Sequence, residues 1–210
     1  MNHLCNKISI FMKCTELKFV FIDICKNAGT SIIETFKSNF PTCAFEGKHH
    51  SIRNYNANIT CSVLTDTDIN DYTLFTVVRN PFDRMVSLYH WGLNSEYNTS
   101  FPQFMERIRD GNFPGYHEKP RYRIQLDWIR DSNGEIRVPH ILRYENLQED
   151  FNLFCTEKLK LPAMPMIKTN TAFERSGKDR MPYRHYYGTV EKDIIHDVYG
   201  GDLTAFNYDF

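Results

Sequence analysis

Two short stretches gather residues able to hold anions. The first, Cys25-Lys26-Asn27-Ala28-Gly29-Thr30-Ser31, follows the apolar run KFVFIDI and precedes a second apolar run. Backbone N–H groups at a helix start, two hydroxyls and a flexible cation suit a phosphate. Gly29 lets the backbone come close to it. The order differs from a Walker A loop, where lysine follows the glycines and directly precedes the hydroxyl residue; here lysine leads. Taken alone, a surface lysine beside a routine helix start explains the stretch equally well. The second stretch, VVRNPFDRMVSLYHW, offers Arg79 at a strand end and Ser87 about two turns along the next helix. Arginine's planar fork matches phosphate oxygens, although Arg79 could equally pair with an acid and Ser87 be filler. Two separate anion sites at strand ends suit a nucleotide phosphorylated in two places better than one triphosphate chain.

Between the stretches, EGKHHSI supplies Glu46, His49 and His50. Histidine is the usual base near neutral pH, and a desolvated glutamate can replace it. Two solvated loop histidines are the plain alternative. Further on, KTNTAFERSGKDRMPYRHYY carries Lys168, Arg175, Lys178, Arg180 and Arg184. It reads either as a solvated face or as a mobile clamp over a highly anionic ligand, with Lys178, Arg180 and Arg184 as its candidates. NFPGYHEKPRYRIQLDW, with Arg121 and Arg123, reads either as an acceptor-side lid or as ordinary loop and core.

The elements that must position these residues follow from local patterns. Residues 18–24 form a run too continuous for a half-exposed strand, so both faces should be covered. Ile32, Ile33, Phe36 and Phe40 then share a helical stripe that Pro41 stops. The grammar repeats at YTLFTVV, where Asn80 caps a helix opened by Pro81. Asp83 complements that helix's dipole, and Met85, Leu88 and Tyr89 form its buried face. A helix is expected between Ser100 and Gly111, and RYRIQLDWI reads as helical. A strand follows over residues 138–143, then a helix carrying Leu147, Phe151 and Phe154. The tail shows an amphipathic helix (Val190, Ile194, Ile195, Val198) broken at Gly200 and Gly201. Strand–helix alternation predicts an α/β fold: a single-domain, mostly parallel, doubly wound sheet flanked by helices, with a P-loop-like nucleotide site at the strand C-terminal ends. The domain spans residues 1–210, with 1–17 an N-terminal extension and the core beginning near residue 18.

Composition narrows the function classes. A net charge of -1 argues against a nucleic-acid binder or an anionic-membrane binder. No apolar stretch approaches the roughly 20 residues that span a bilayer. With no leader pattern at the N-terminus, a soluble, cytoplasmic protein is expected. Six scattered cysteines without a C-x-x-C pair read as reduced thiols, mostly small core residues. Eight histidines without metal spacing lead to the expectation of no metal.

CKNAGTSIIETF followed by FTVVRNPFDRMVSLYH closely resembles the paired signatures of sulfotransferases that use 3′-phosphoadenosine 5′-phosphosulfate (PAPS). The chain is most similar to small members related to the Golgi-type carbohydrate sulfotransferases (family 2-like). The family's loops read P-K-[TN]-[GA]-[GS]-T-S and R-N-P-[FYW]-D-R-x-x-S. The resemblance runs from about residue 18 to the C-terminus, through QLDWI, ILRYENLQEDF and YRHYYGTVEKDIIHDVYGGDLTAFNYDF. It implies that Lys26 contacts the phosphosulfate bridge while Asn27, Ala28, Gly29, Thr30 and Ser31 form the 5′-phosphate loop. It further implies that Arg79 and Ser87 hold the 3′-phosphate, and that His49, matching a K-H element, is the base, with His50 or Glu46 as alternatives. Cys25 stands where proline is usual, and Ala28 where glycine is common. The expected reaction is in-line sulfuryl transfer from PAPS to a hydroxyl acceptor, carbohydrate first, leaving 3′,5′-ADP and needing no metal. The alternatives are a P-loop-like nucleoside or nucleotide kinase and a non-catalytic nucleotide-binding module. Neither the acceptor nor the oligomeric state is legible.

Overall fold

Strand β2 (Phe19–Ile22) is buried at all four positions, as its uninterrupted apolar run requires. It lies at the middle of a five-stranded sheet with β1 (Ile8–Cys14), β3 (Phe45–His50), β4 (Thr73–Val78) and β5 (His140–Arg143), in the order β3-β1-β2-β4-β5. The computed structural model describes residues 8–50, 70–93, 99–111, 119–131, 133–169 and 181–210. Contacts divide the chain into two compact units, one from Met1–Val78 with Gln125–Ile167, the other from Arg79–Ile124 with Lys168–Phe210.

The first unit contains the sheet. β2, β4 and β5 are parallel, with Ile22 opposite Thr76 and Thr76 opposite Ile141. β1 is antiparallel to both β2 and β3. The sheet is therefore mixed rather than mostly parallel. The reason is local: only a short turn joins β1 to β2, and short turns can join only antiparallel neighbours. The core also begins upstream of residue 18, because Phe11, Met12 and Cys14 on β1 are buried. EGKHHSI, read as loop, contributes β3 through its first residues.

Helix α1 (Gly29–Asn39) packs Phe36 into an aromatic cluster, with ring centroids 4.4 Å from Phe19 and 5.4 Å from Phe151. Helix α4 (Leu147–Phe154) adds Phe154, 4.3 Å from Phe75. Offset and edge-on aromatic pairs of this kind add to the energy of burial.

The second unit, among the described residues, is helical: α2 (Pro81–Leu93), α3 (Phe101–Asp110) and α5 (Thr189–Phe206). Asn80 Oδ1 accepts the Phe82 N–H at 3.0 Å, which realises the expected cap. Ser100 and Gln103 form a reciprocal capping box on α3, and Gly111 closes the helix at φ 63°. Arg84 is fully buried and donates to the backbone carbonyls of Arg121 (2.7 Å) and Arg123 (2.9 Å). Arg121 is 1% exposed, with its guanidinium 4.1 Å from the Trp91 ring. Its side chain belongs to the core rather than to a lid.

α5 runs through Gly200 and Gly201 where a break was expected. Glycine costs a helix roughly 1 kcal/mol at each position. Buried Tyr199 precedes the pair, and Asp202, Leu203 and Phe206 follow it, all buried. Tyr199 also donates its hydroxyl to Tyr122 O at 2.7 Å. That packing outweighs the propensity cost. Val190, read as part of the apolar stripe, is 55% exposed. Among the described residues, no helix is long and apolar enough to cross a membrane.

Candidate active site

The lysine-first loop follows β2 and enters α1. Lys26 and Ala28 both adopt left-handed backbone, at φ 72° and 65°. Non-glycine residues tolerate this region at a cost, and such strain concentrates where a loop shape matters. The Asn27 N–H closes a turn onto Ile24 O at 3.1 Å. Ala28 is the N-cap and supplies no side-chain acceptor to the first turn. The N–H groups of a helix's first turn have no partner within the helix and carry partial positive charge, which is the requirement for an anion site. Thr30 is exposed and Ser31 half-buried at the head of that turn.

The Asn27 side chain turns into the protein. It is 1% exposed, and its Nδ2 donates to Val77 O and to Gln125 Oε1, both at 2.7 Å. The residue ties the loop to the end of β4. Its place in the motif is explained by this anchoring, a role that local pattern does not reveal.

Asp23 follows β2 at the entrance to the loop, a position that no motif marks. Its carboxyl lies directly over Gly29. A Cβ added at Gly29 would stand 1.9 Å from Asp23 Oδ1 and 2.6 Å from Oδ2, closer than any real contact. Glycine is required here for that approach, not for its torsion angles. Although part of Asp23 reaches solvent, burial of the carboxyl pushes its pKa from 3.8 up to about 7, and the nearby Lys26 charge only partly offsets this. The available signal was one acid ending an otherwise apolar strand run.

The shift has a consequence for stability. Because the folded-state pKa is raised, the folded chain holds this proton more tightly than the unfolded chain. The contribution is fully present below about pH 4 and is lost as pH rises through 7. Asp23→Asn should therefore raise Tm at pH 8 by several degrees, at roughly 2–4 °C per kcal/mol. The gain should shrink towards zero near pH 4, as thermal melts across this range would show. Gly29→Ala should lower Tm, and adding Asp23→Ala to it should restore much of the loss.

Strand direction brings the histidine segment to the same edge of the sheet. β3 is antiparallel to β1, and β1 is antiparallel to β2, so β2, β3, β4 and β5 all point one way. Their C-terminal ends lie along one edge, where ligands bind in open α/β sheets. There β2 leads into residues 23–31, β4 ends at Val78 and β3 ends at His50. Ser9 of β1 faces His49, while Phe11 faces Ile22, so His49 stands two β1 positions beyond the level of Ile22. The side chains of residues 47–50 lie outside the described residues. Glu46 is exposed and paired in register with Lys13.

In the other unit, Arg79 is 3% exposed and its Nε and Nη2 both donate to Asp83 Oδ2, at 2.9 and 2.7 Å. The acid-pairing alternative is thus realised, one turn along α2. Ser87 is half-buried on the same helix. Of the clamp candidates, Lys178 and Arg180 lie outside the described residues. Arg184 is exposed, with its guanidinium 5.2 Å from the Phe210 ring.

A model of the Sulfotransferase family matches residues 9–209 of the chain. No curated protein and no solved structure matches it.

Proposed function

Because this chain belongs to the sulfotransferase family, and so is a sulfuryl-transfer enzyme, we propose that PAPS is its donor and a carbohydrate hydroxyl its acceptor, with residues 1–210 acting as one catalytic domain. The carrying observation is the common sheet edge, where the Lys26 loop and the end of β3 both emerge. In this reading the parallel β2-β4-β5 section of a doubly wound arrangement supports a P-loop-like nucleotide site. Lys26 neutralises charge on the 5′-phosphate, and the backbone of Gly29, Thr30 and Ser31 receives its oxygens, as a helix start without a side-chain cap allows. Arg79 and Ser87 hold the 3′-phosphate, with Asp83 setting the plane of the guanidinium fork. Lys178, Arg180 and Arg184 close over the nucleotide.

His49 takes the proton of the acceptor hydroxyl as that oxygen bonds to sulfur. The bond between sulfur and the 5′-phosphate oxygen breaks, and the electron pair leaves on the phosphate beside Lys26. In-line displacement of this kind depends on positioning and charge stabilisation, both of which side-chain cations supply. Ala28 fits the loop at some cost, since its left-handed backbone suits glycine better.

Transfer of labelled sulfate from PAPS to a panel of sugars, lipids and phenols tests the reading. Sulfation of a sugar with formation of 3′,5′-ADP is the expected result. Absence of transfer to every acceptor together with absence of 3′,5′-ADP binding overturns it, as does stabilisation by Mg·ATP alone. Arg79→Ala should weaken 3′,5′-ADP binding about tenfold or more, the loss of a charged hydrogen bond. It should also cost about 3–5 kcal/mol of stability, because Asp83 loses its buried partner. Arg79→Lys keeps a cation there but removes the fork, so calorimetric affinity should fall while Tm is largely retained.

A further inference from the structure

At the opposite end of the same sheet, three residues far apart in sequence converge. Cys14 ends β1, Glu16 sits in the turn after it, and Cys43 precedes β3. The two sulfurs and one Glu16 carboxylate oxygen all lie within 4.8 Å of one another. The Cys14 thiol donates to Glu16 Oε2 at 3.5 Å, and Glu16 Oε1 accepts the Ala44 N–H at 3.1 Å. From this geometry we propose that Cys14, Glu16 and Cys43 form a zinc site that fastens the β1–β2 turn to the segment entering β3.

One separation already meets the metal's demands, and the others lie within 4.8 Å. Bonds of about 2.3 Å to sulfur and 2.0–2.2 Å to oxygen in a tetrahedron place a sulfur and an oxygen about 3.5–3.6 Å apart, and two sulfurs about 3.8 Å apart. The observed Cys14–Glu16 separation already has the first value. Two thiolates and one carboxylate form a soft, anionic set suited to Zn²⁺. Each thiol releases its proton on binding, so two protons leave per ion.

The surroundings support the same conclusion. The carboxylate's second oxygen is held by the Ala44 N–H, an outer contact of the type that orients metal ligands. Cys14 is buried among Phe19, Phe36 and Phe75, and Cys43 packs on that cluster with Phe40 and Phe45, which limits water access to the metal.

The site is separate from the sulfuryl-transfer machinery. Cys14 pairs with Phe19 at the start of β2, whereas the Lys26 loop follows that strand's end. Its role is structural, and it stands whether or not PAPS is the donor.

The test uses the full chain, reduced and stripped by chelator, titrated with Co²⁺ as a spectroscopic probe and then with Zn²⁺. One Co²⁺ per chain is expected, giving a thiolate-to-metal charge-transfer band and a tetrahedral visible spectrum that Zn²⁺ displaces, with Tm rising on Zn²⁺ addition. Cys43→Ser should weaken Co²⁺ binding and cut the charge-transfer intensity per bound ion to about half. Glu16→Gln, at an exposed position that leaves the core intact, should weaken binding about tenfold or more while the thiolate band persists. Absence of thiolate coordination in the reduced wild type overturns the proposal. So does unchanged binding in both variants, or a Cys14–Cys43 disulfide in a protein that takes up no Zn²⁺ once reduced.

Discussion

If His49 is the base proposed above, His49→Ala should lower kcat for sulfuryl transfer by about 10²–10⁴-fold, the usual contribution of a positioned base, and leave 3′,5′-ADP affinity unchanged. The reason is positional. β3 delivers His49 to the sheet edge where the Lys26 loop begins, two β1 positions past the level of Ile22. A base must reach the acceptor proton, not the nucleotide, so nucleotide binding should not register its loss. The wild-type kcat/KM profile should show an acidic limb as the imidazole protonates, and that limb should vanish in the variant. Steady-state rates over pH, paired with calorimetric titration of 3′,5′-ADP, check both parts. Full activity in His49→Ala transfers the role to His50 or Glu46, and the same measurements on His50→Ala and Glu46→Gln decide between them.

On the proposed role of Lys26, Lys26→Ala should lower kcat by about 10²–10³-fold, comparable to removing one preorganised donor from a charge-stabilising site. Charge grows on the leaving phosphate during transfer, so the lysine contributes more in the transition state than in the ground state. KM for PAPS should therefore change less than kcat. Loss of Lys26 also removes the cation that partly offsets burial at Asp23, so the Asp23 pKa should move further upward. Asp23→Asn in the Lys26→Ala background separates the two effects: it changes the pH dependence of Tm without restoring kcat. A uniform rise in KM with kcat intact would mean that Lys26 only binds.

Much of the machinery was legible in local pattern. The lysine-first loop between an apolar strand and a helical stripe identified the turn into α1. Asn80-Pro81 marked the start of α2, and Ser100 and Gly111 marked the two ends of α3. These are short-range signals, each carried by hydrogen bonds within a few residues. What escaped were pairings between distant segments. Ile8–Cys14 alternates too weakly to announce a strand, yet two neighbours hold it. Gly200 and Gly201 predicted a break, but buried residues on both sides keep α5 continuous.

By itself the sequence determined the chemistry class, sulfuryl transfer, through a lysine-led loop at a helix start, an arginine at the next strand end, histidines between them, and a family resemblance that the match over residues 9–209 bears out. Residue type and short spacing suffice for that, because phosphate recognition uses a few adjacent groups at a helix start. The tertiary structure alone decided that the Asn27 side chain anchors the loop to Val77 and Gln125 and that Asp23 lies on Gly29. It also brought Cys14, Glu16 and Cys43 together at the far end of the sheet, whereas the Arg79–Asp83 pair is an i,i+4 contact that local spacing allows. The Asn27 anchor and the Cys14–Glu16–Cys43 cluster depend on which strand lies beside which and in what register. Burial across the whole sheet sets that choice, and no local period encodes it.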